Sequence, residues 1–354
     1  MAVGAQESAV AVSCQARFHA RWPELRDPHV RALAWLLDSP DLMAVDAPCW
    51  EGRIATLGPV SEEVAAWLRT LQQDPQLKRQ LHDHLAHQPS ARLGRYAEKL
   101  LGFYLRQRGQ LVAANLQVRN NGATRETLGE FDFLVRRPHV GAGNGLEHWE
   151  FATKFYLLEQ ASLQPGRTVP SGEMPPDAFV GPNLADSLGR KMRKIMRQQL
   201  MLSWHPAAAG VLPEPVASAQ ALVKGWLFYS EPLPSLPPAM GISAGHCRGF
   251  WCDAAALRER YAERLEQLHF LLLPRLEWLA PARVEIGRTV DMDAVQEEIA
   301  ARFGAEAAPV MLAVCRGPEA GEGQDAFEIE RGFIVPDGWQ QRAAERVRHA
   351  VIRI

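Results

Sequence analysis

Lysine is scarce in this chain: of 39 basic residues only six are lysines, at positions 78, 99, 154, 191, 194 and 224. Other shortages narrow the function class. There is no excess of charge of either sign, with 39 basic against 41 acidic residues and a net charge of -2, so the molecule as a whole is not steered toward a polyanion and any nucleic-acid contact must come from a local patch. The five cysteines, Cys14, Cys49, Cys247, Cys252 and Cys315, are odd in number and contain no C-x-x-C pair, which argues against a zinc ribbon and for a reducing, cytoplasmic setting. The most apolar run, "LHFLLLPRLEWLA", is interrupted by Arg275 and Glu277 and is too short to span a bilayer. With no basic-then-apolar leader in view, a soluble cytoplasmic protein is expected. A Gly-rich phosphate loop, a Ser-His-Asp arrangement, a dinucleotide fingerprint and internal repeats are all missing.

What is present is an ordinary globular composition, 47% hydrophobic and 23% charged over 354 residues, long enough for two or three packed units. The expected units are an N-terminal helical region at 1-90, an α/β core at 91-231 and a C-terminal α+β region at 232-354. In the first, "DPHVRALAWLLDSP", "SEEVAAWLRTLQQ" and "PQLKRQLHDHL" space apolar residues three and four apart between prolines, the pattern of short amphipathic helices. The core reads as a helix, "ARLGRYAEKLLGFYLRQRG", stopped at Gly109; three strands, "QLVAANLQVRN", "GEFDFLVRR" and "HWEFATKFYLL"; a second helix, "LADSLGRKMRKIMRQQLML"; and a fourth strand, "ALVKGWLFYS". An Asn121-Gly122 turn follows the first strand. A loop rich in Pro and Gly runs from about Gln164 to Pro182, and "EPLPSLPPAMG" marks a linker. Beyond it "DAAALRERYAERLEQLHFLL" reads as one helix, and "APVMLAVCR" and "AFEIERGFIVP" as strands paired across "GPEAGEGQ".

The chemistry concentrates in two of the strands. Alternation along "HWEFATKFYL" puts His148, Glu150, Ala152 and Lys154 on one face and Trp149, Phe151, Thr153 and Phe155 on the other; in "GEFDFLV" it puts Glu130 and Asp132 opposite Phe131, Phe133 and Val135. If the strands are neighbours, carboxylates and an ammonium meet at one edge. Hydrolysis of a phosphodiester calls for a divalent cation held by hard oxygen ligands and for a positive group beside it. The plainer reading is a Glu150 to Lys154 ion pair with no catalytic task. Glu98 borders the apolar stripe of the preceding helix, above Leu101 and Leu105, where it either reaches over the sheet edge or pairs with Arg95. Gln199 falls within the stripe Leu188, Met192, Ile195, Met196 and Leu202, where an amide must find a partner, either at the site or on a backbone carbonyl. Lys191 and Arg193 flank the basic face of that helix, a phosphate-backbone contact or a solvated surface. The His82, Asp83, His84, His87 group spreads over two helical turns, a poor zinc geometry.

In this order of elements the chain resembles the PD-(D/E)XK superfamily of restriction-endonuclease-like nucleases, over about Arg92 to Ser230. Through "DPHVRALAWLLDSP", "GEFDFL", "HWEFATKFYL", "GPNLADSLGRKM" and "ERGFIVPDGW" it is similar, over about Arg21 to Trp339, to a bacterial family defined by a domain of unknown function and grouped with that superfamily. The resemblance implies Asp132 as the strand carboxylate that binds Mg2+ or Mn2+, Lys154 as the catalytic lysine, Glu98 as the accessory acid, and a nucleic-acid substrate, DNA rather than RNA. The superfamily pattern places Asp or Glu two residues before the lysine, and here that residue is Ala152. Glu150 lies on the same face, about 6.8 Å further along an extended chain, and is taken as the second metal ligand. The expectation is a metal-dependent nuclease; the alternative is a non-catalytic nucleic-acid-binding or scaffold protein on an inactivated nuclease fold.

Overall fold

A computed structural model of the chain describes residues 12–120, 126–136, 145–159, 176–230, 236, 240–318 and 324–352. The expected Asn121-Gly122 turn, most of the loop from Gln164, much of the "EPLPSLPPAMG" linker and part of "GPEAGEGQ" lie outside these residues.

The N-terminal helices are α1 (Cys14–Arg21), α2 (Pro28–Asp38), α3 (Glu62–Gln73) and α4 (Pro75–Ala86). Each begins at a side-chain cap, Ser13, Asp27, Ser61 and Asp74 respectively, which satisfies amides that the helix itself leaves unpaired. Helix α5 (Leu93–Gln107) ends before Gly109, whose φ of 64° suits a helix stop.

Then come β1 (Leu111–Arg119), β2 (Thr127–Val135), β3 (Leu146–Leu158), the two-residue β4 (Phe179–Val180), α6 (Leu188–Lys194) and β5 (Val216–Tyr229). The rest of the chain supplies β6 (Cys247–Asp253), α7 (Ala254–Tyr261), β7 (Leu268–Leu272), β8 (Arg283–Glu285), α8 (Met292–Ala305), β9 (Val310–Arg316), β10 (Asp325–Val335) and α9 (Trp339–Ile352).

These strands form one mixed sheet in the order β1-β2-β3-β5-β6-β10-β9-β7, with β4 on β3 and β8 on β10. The strands β1, β2 and β3 run antiparallel in turn, and β3, β5, β6 and β10 run parallel. A parallel step needs a crossover, and α6 lies within the one between β3 and β5. The pair expected at the C-terminal end is present as β9 against β10.

One large apolar cluster joins α2, α3 and α5 to Phe133, Trp149, Phe151 and Phe155 on one sheet face. A second joins Leu188, Met192 and Ile195 of the α6 segment to Ala152, Tyr156 and Val223 on the other. Among the described residues no helix is long and apolar enough to cross a membrane.

Three expectations fail. The single helix read from Asp253 ends at Tyr261 and gives way to β7, because "LHFLL" alternates in burial and pairs with β9; tertiary pairing overrides the helical spacing. The helix at 184-202 is α-helical only to Lys194, widens into a π-turn over Ile195–Gln199 and tightens to a 3-10 turn at Leu200–Trp204. Finally, Phe131 does not share a face with Phe133 and Val135: Phe131 packs with Leu134 in a separate cluster, whereas Phe133 and Val135 belong to the α5 side.

Candidate functional site

The slipped alternation in β2 builds the site. Strand β2 pairs with β3 only at Phe133, Leu134 and Val135, opposite Trp149, His148 and Glu147. One residue further on, the Phe151 amide donates to the Asp132 carboxylate, Oδ2 at 2.9 Å. A side chain thus takes the place of the ladder carbonyl, and the strands part. On the other flank Asn115 stands opposite Asp132 in register and carries a φ of 53°, a left-handed conformation that Asn tolerates better than most residues. The irregularity is shared by β1 and β2, whose mutual register runs unbroken past it.

Side chains from both sheet faces converge on this opening. From α5, Glu98 pairs with Arg95 at 2.9 Å, and the same guanidinium lies 3.6 Å from Glu130 and donates to Asn115. The plainer expectation for Glu98, a pair with Arg95, is therefore present, yet Glu98 is not a surface residue: burial first, and the Asp132 and Glu130 charges behind it, raise its pKa against the pull of Arg95. From the other face, the π-turn carries Gln199 inward, where its amide donates to Glu150 Oε1 and its carbonyl accepts from Lys191 Nζ at 3.0 Å. Lys191 Nζ also stands 3.9 Å from Glu150 Oε1.

Glu150 is 1% exposed, and its second oxygen, Oε2, is buried without a hydrogen-bond donor. Burial, and then the Asp132 charge, push its carboxyl pKa up to about 9. Asp132 is raised too, by burial against the Phe151 amide. The two acids therefore favour a shared proton over two negative charges. Burial lowers the pKa of Lys191, with Glu150 opposing it and Lys154 reinforcing it. Behind Glu150 lies His148, fully buried, its Nε2 3.9 Å from Glu150 Oε2 and its Nδ1 2.8 Å from Ser203 Oγ; burial holds it neutral, at a pKa of about 4.

Some expected residues meet here and others do not. Glu98, Asp132, Glu150 and Gln199 assemble. Lys154 points to the same side of β3 but pairs with Asp186 at 3.4 Å, and the Tyr156 hydroxyl also donates to Asp186, at 3.1 Å. The expected Glu150 to Lys154 pair does not form. Lys191 turns into the site instead of facing a phosphate backbone, because its position one turn before the π-segment brings it over Gln199. Arg193 is taken up by Asp177, with contacts of 2.6 and 3.1 Å. Ala152 is packed among the apolar residues of the α6 side, so the place two residues before Lys154 is not an open ligand position. In the histidine group, His82 bonds Asp27 and His84 bonds the Lys99 carbonyl. Among the described residues no group of three or more His, Cys, Asp or Glu is arranged to hold a metal ion. What the acids offer is a pair, half-buried Asp132 and buried Glu150.

A family model for a domain of unknown function, DUF1853, matches residues 31–335. The chain belongs to the DUF1853 family. That match bears out the resemblance to a family defined by a domain of unknown function, and it covers most of α2, the helices α3 to α5, the Asp132 and Glu150 pair and the sheet as far as β10. No curated protein and no solved structure gives a significant match to the chain.

Proposed function

We propose that this DUF1853 chain is a divalent-cation-dependent phosphodiesterase acting on nucleic acid, DNA rather than RNA, through the cleft where β2 and β3 part. The observation that carries the reading is buried Glu150 beside half-buried Asp132, with one Glu150 oxygen lacking any donor and an ammonium 3.9 Å away. A protein that needed only packing there would gain by replacing such a pair with apolar side chains. The order helix, three antiparallel strands, helix, parallel strand supports the same reading, as does the position of the acids at the strand opening.

The donor set suits Mg2+ or Mn2+, ions that take one or two carboxylates and complete their shell with water and phosphate oxygens. Asp132 and Glu150 would hold the ion, which when bound neutralises phosphate charge and acidifies water. The chain's own residues set the conditions for this. Gln199 fixes the Glu150 carboxyl, and Lys191, bridged to it by the same amide, stabilises its ionised form. Once Glu150 is engaged elsewhere, Lys191 is the nearest ammonium for charge developing on the phosphoryl group. Lys154, held at Asp186, stands further along β3 as a second positive group, and Glu98 adds negative charge from α5.

A second reading, a non-catalytic nucleic-acid-binding or scaffold protein on the same fold, is favoured by Ala152, which stands where the superfamily pattern has an acid.

The two are separated by titrating Mn2+ while following the thermal midpoint, then assaying single-stranded, duplex and branched DNA and RNA. The expected result is a rise in midpoint that disappears in Asp132→Asn, which keeps an acceptor for the Phe151 amide, and cleavage lost in Asp132→Asn and reduced more by Lys191→Met than by Lys154→Met. No response to cation, with DNA binding retained, would establish the second reading; equal cleavage by wild type and Asp132→Asn would identify a contaminant.

A further inference from the structure

Away from the Asp132 and Glu150 carboxylates, α1 carries a cysteine onto the start of β6. Cys14 occupies the first position of α1, next to the Ser13 cap, whose hydroxyl accepts from the Ala16 amide at 3.1 Å. Its sulfur accepts from Arg17 Nη2 at 3.2 Å, and it also faces the Arg248 backbone amide and the Cys247 thiol. The two sulfurs, far apart in sequence, line one cavity of about 190 Å³ together with Arg17, Arg21 and Ser39. That is room for several water-sized molecules, but not for a bulky ligand.

We propose that Cys14 and Cys247 form a redox-active dithiol, in which a small hydroperoxide oxidises Cys14 and Cys247 resolves the product. The two sulfurs are unequal in the way such a pair requires. Cys14 is partly exposed and Cys247 buried. The Cys247 hydrogen bond first, and Arg17 after it, bring Cys14 down to about 6 against the opposing effect of burial, so at neutral pH it is largely thiolate, the nucleophilic form. Cys247, raised by complete burial and by Cys14 itself, keeps its proton. Two other cysteines are less suited. Cys49 is exposed, but its thiol is raised. Cys315 is buried and raised.

The chemistry balances in two steps. The Cys14 thiolate attacks one oxygen of the hydroperoxide; an S–O bond forms, the O–O bond breaks, and the other oxygen leaves as alkoxide or hydroxide and takes up a proton, giving Cys14 sulfenic acid. The Cys247 sulfur then attacks the Cys14 sulfur as its proton moves to the departing hydroxyl; an S–S bond forms, the S–O bond breaks and water leaves. Sulfur is oxidised, the peroxide is reduced, and a small thiol reverses the product by exchange. The disulfide would staple α1 to β6.

The test is intact-mass and non-reduced peptide mapping of the full chain treated with stoichiometric hydrogen peroxide near neutral pH. Expected are loss of two hydrogens, a linked Cys14–Cys247 peptide, reversal by dithiothreitol, and a rise in thermal midpoint on oxidation. Cys247→Ser should instead accumulate one added oxygen at Cys14, trapped by dimedone. Should that variant not fold, competitive alkylation of the wild type decides: Cys14 must react faster than Cys49 at pH 7, with a half-maximal rate near pH 6. Faster labelling of Cys49, or stable sulfenic acid at Cys14 in the wild type with no linked peptide, overturns the proposal.

Discussion

Replacing Glu150 with glutamine should change how stability depends on pH, and the size of the change follows from the site. In the folded chain Glu150 is raised from 4.5 to about 9, by burial and then by Asp132 on β2, against Lys191. An acid whose folded pKa exceeds its unfolded value holds an extra proton in the folded state between the two. Its contribution is therefore complete below about 4.5 and is lost as pH rises to about 9. One proton corresponds to about 1.4 kcal/mol per pH unit, so between pH 6.5 and 8.5 the loss reaches about 3 kcal/mol, a large part of a typical ~5–15 kcal/mol stability.

Other titrating groups, near the site and elsewhere in the fold, bear on that window. His19, His148 and His246 are depressed by burial to about 3, about 4 and about 4. They take up protons only on unfolding, so they add stability as pH rises through 6.5 and level off about one unit above it, equally in wild type and Glu150→Gln. Lys191, also depressed by burial, acts in the same direction. Asp132 and Glu98, both raised, add to the slope of Glu150. Glutamine at 150 keeps an acceptor for Gln199 and carries no proton to lose. The assay is urea unfolding in chelator across the window. Wild type should lose stability steadily with pH while Glu150→Gln loses markedly less, and isothermal titration of Mn2+ at pH 7 in buffers of different ionisation enthalpy should show about one proton released by wild type only. Identical pH slopes for the two proteins would refute the assignment of the proton to Glu150.

Elsewhere the fold offers sharper perturbations. Arg331 and Glu328 are both fully buried, bonded through Nε at 2.6 Å and Nη2 at 2.8 Å, and Arg331 also donates to the Ala280 carbonyl at 2.7 Å. Arg331→Met leaves an uncompensated carboxylate and should cost about 3–5 kcal/mol in urea unfolding; a cost below 1 kcal/mol would show that water or protonation relieves it. At Gly225 of β5 an added Cβ would sit 1.9 Å from the Lys154 carbonyl oxygen, so Gly225→Ala should lose about 1–3 kcal/mol by overpacking and is contradicted by an unchanged denaturation midpoint.

The sequence carried the helices and strands as far as periodicity could speak. Capped, proline-bounded segments such as α2 and α3, and alternating runs such as β3, lie where their patterns put them. The segment at 253-272 misled, because "LEQLHFLL" satisfies helical and strand spacing alike, and only the presence of β9 beside it selects the strand. Strand β6 and helices α8 and α9 went unread for a related reason: "CRGFWCD" is short and contains Gly249, where a Cβ would clash with Phe228 and Arg331, a constraint that exists only after the sheet has formed. The π-turn is likewise invisible in a sequence that reads as uninterrupted helix.

For the site, residue type was more legible than residue partnership. A lysine in an apolar strand drew attention to Lys154, yet Lys224 in "ALVKGWLFYS" is more deeply buried and is structural, bonded to the Ser39 carbonyl at 2.7 Å and Asp41 at 2.8 Å. Lysine scarcity therefore does not distinguish a chemical role from an anchoring one. The amide was the better signal. Gln199 interrupts a stripe of Leu, Met and Ile, a buried polar group there must be satisfied, and its partners turn out to be Glu150 and Lys191. The same reasoning accounts for Ala152. A carboxylate at 152 would face the apolar side of α6, whereas one at 150 lies level with the point where the Asp132 side chain replaces a backbone bond and opens the sheet. The acid pair is set by that opening, and the strand spacing that makes the motif recognisable in sequence does not determine which residue faces it.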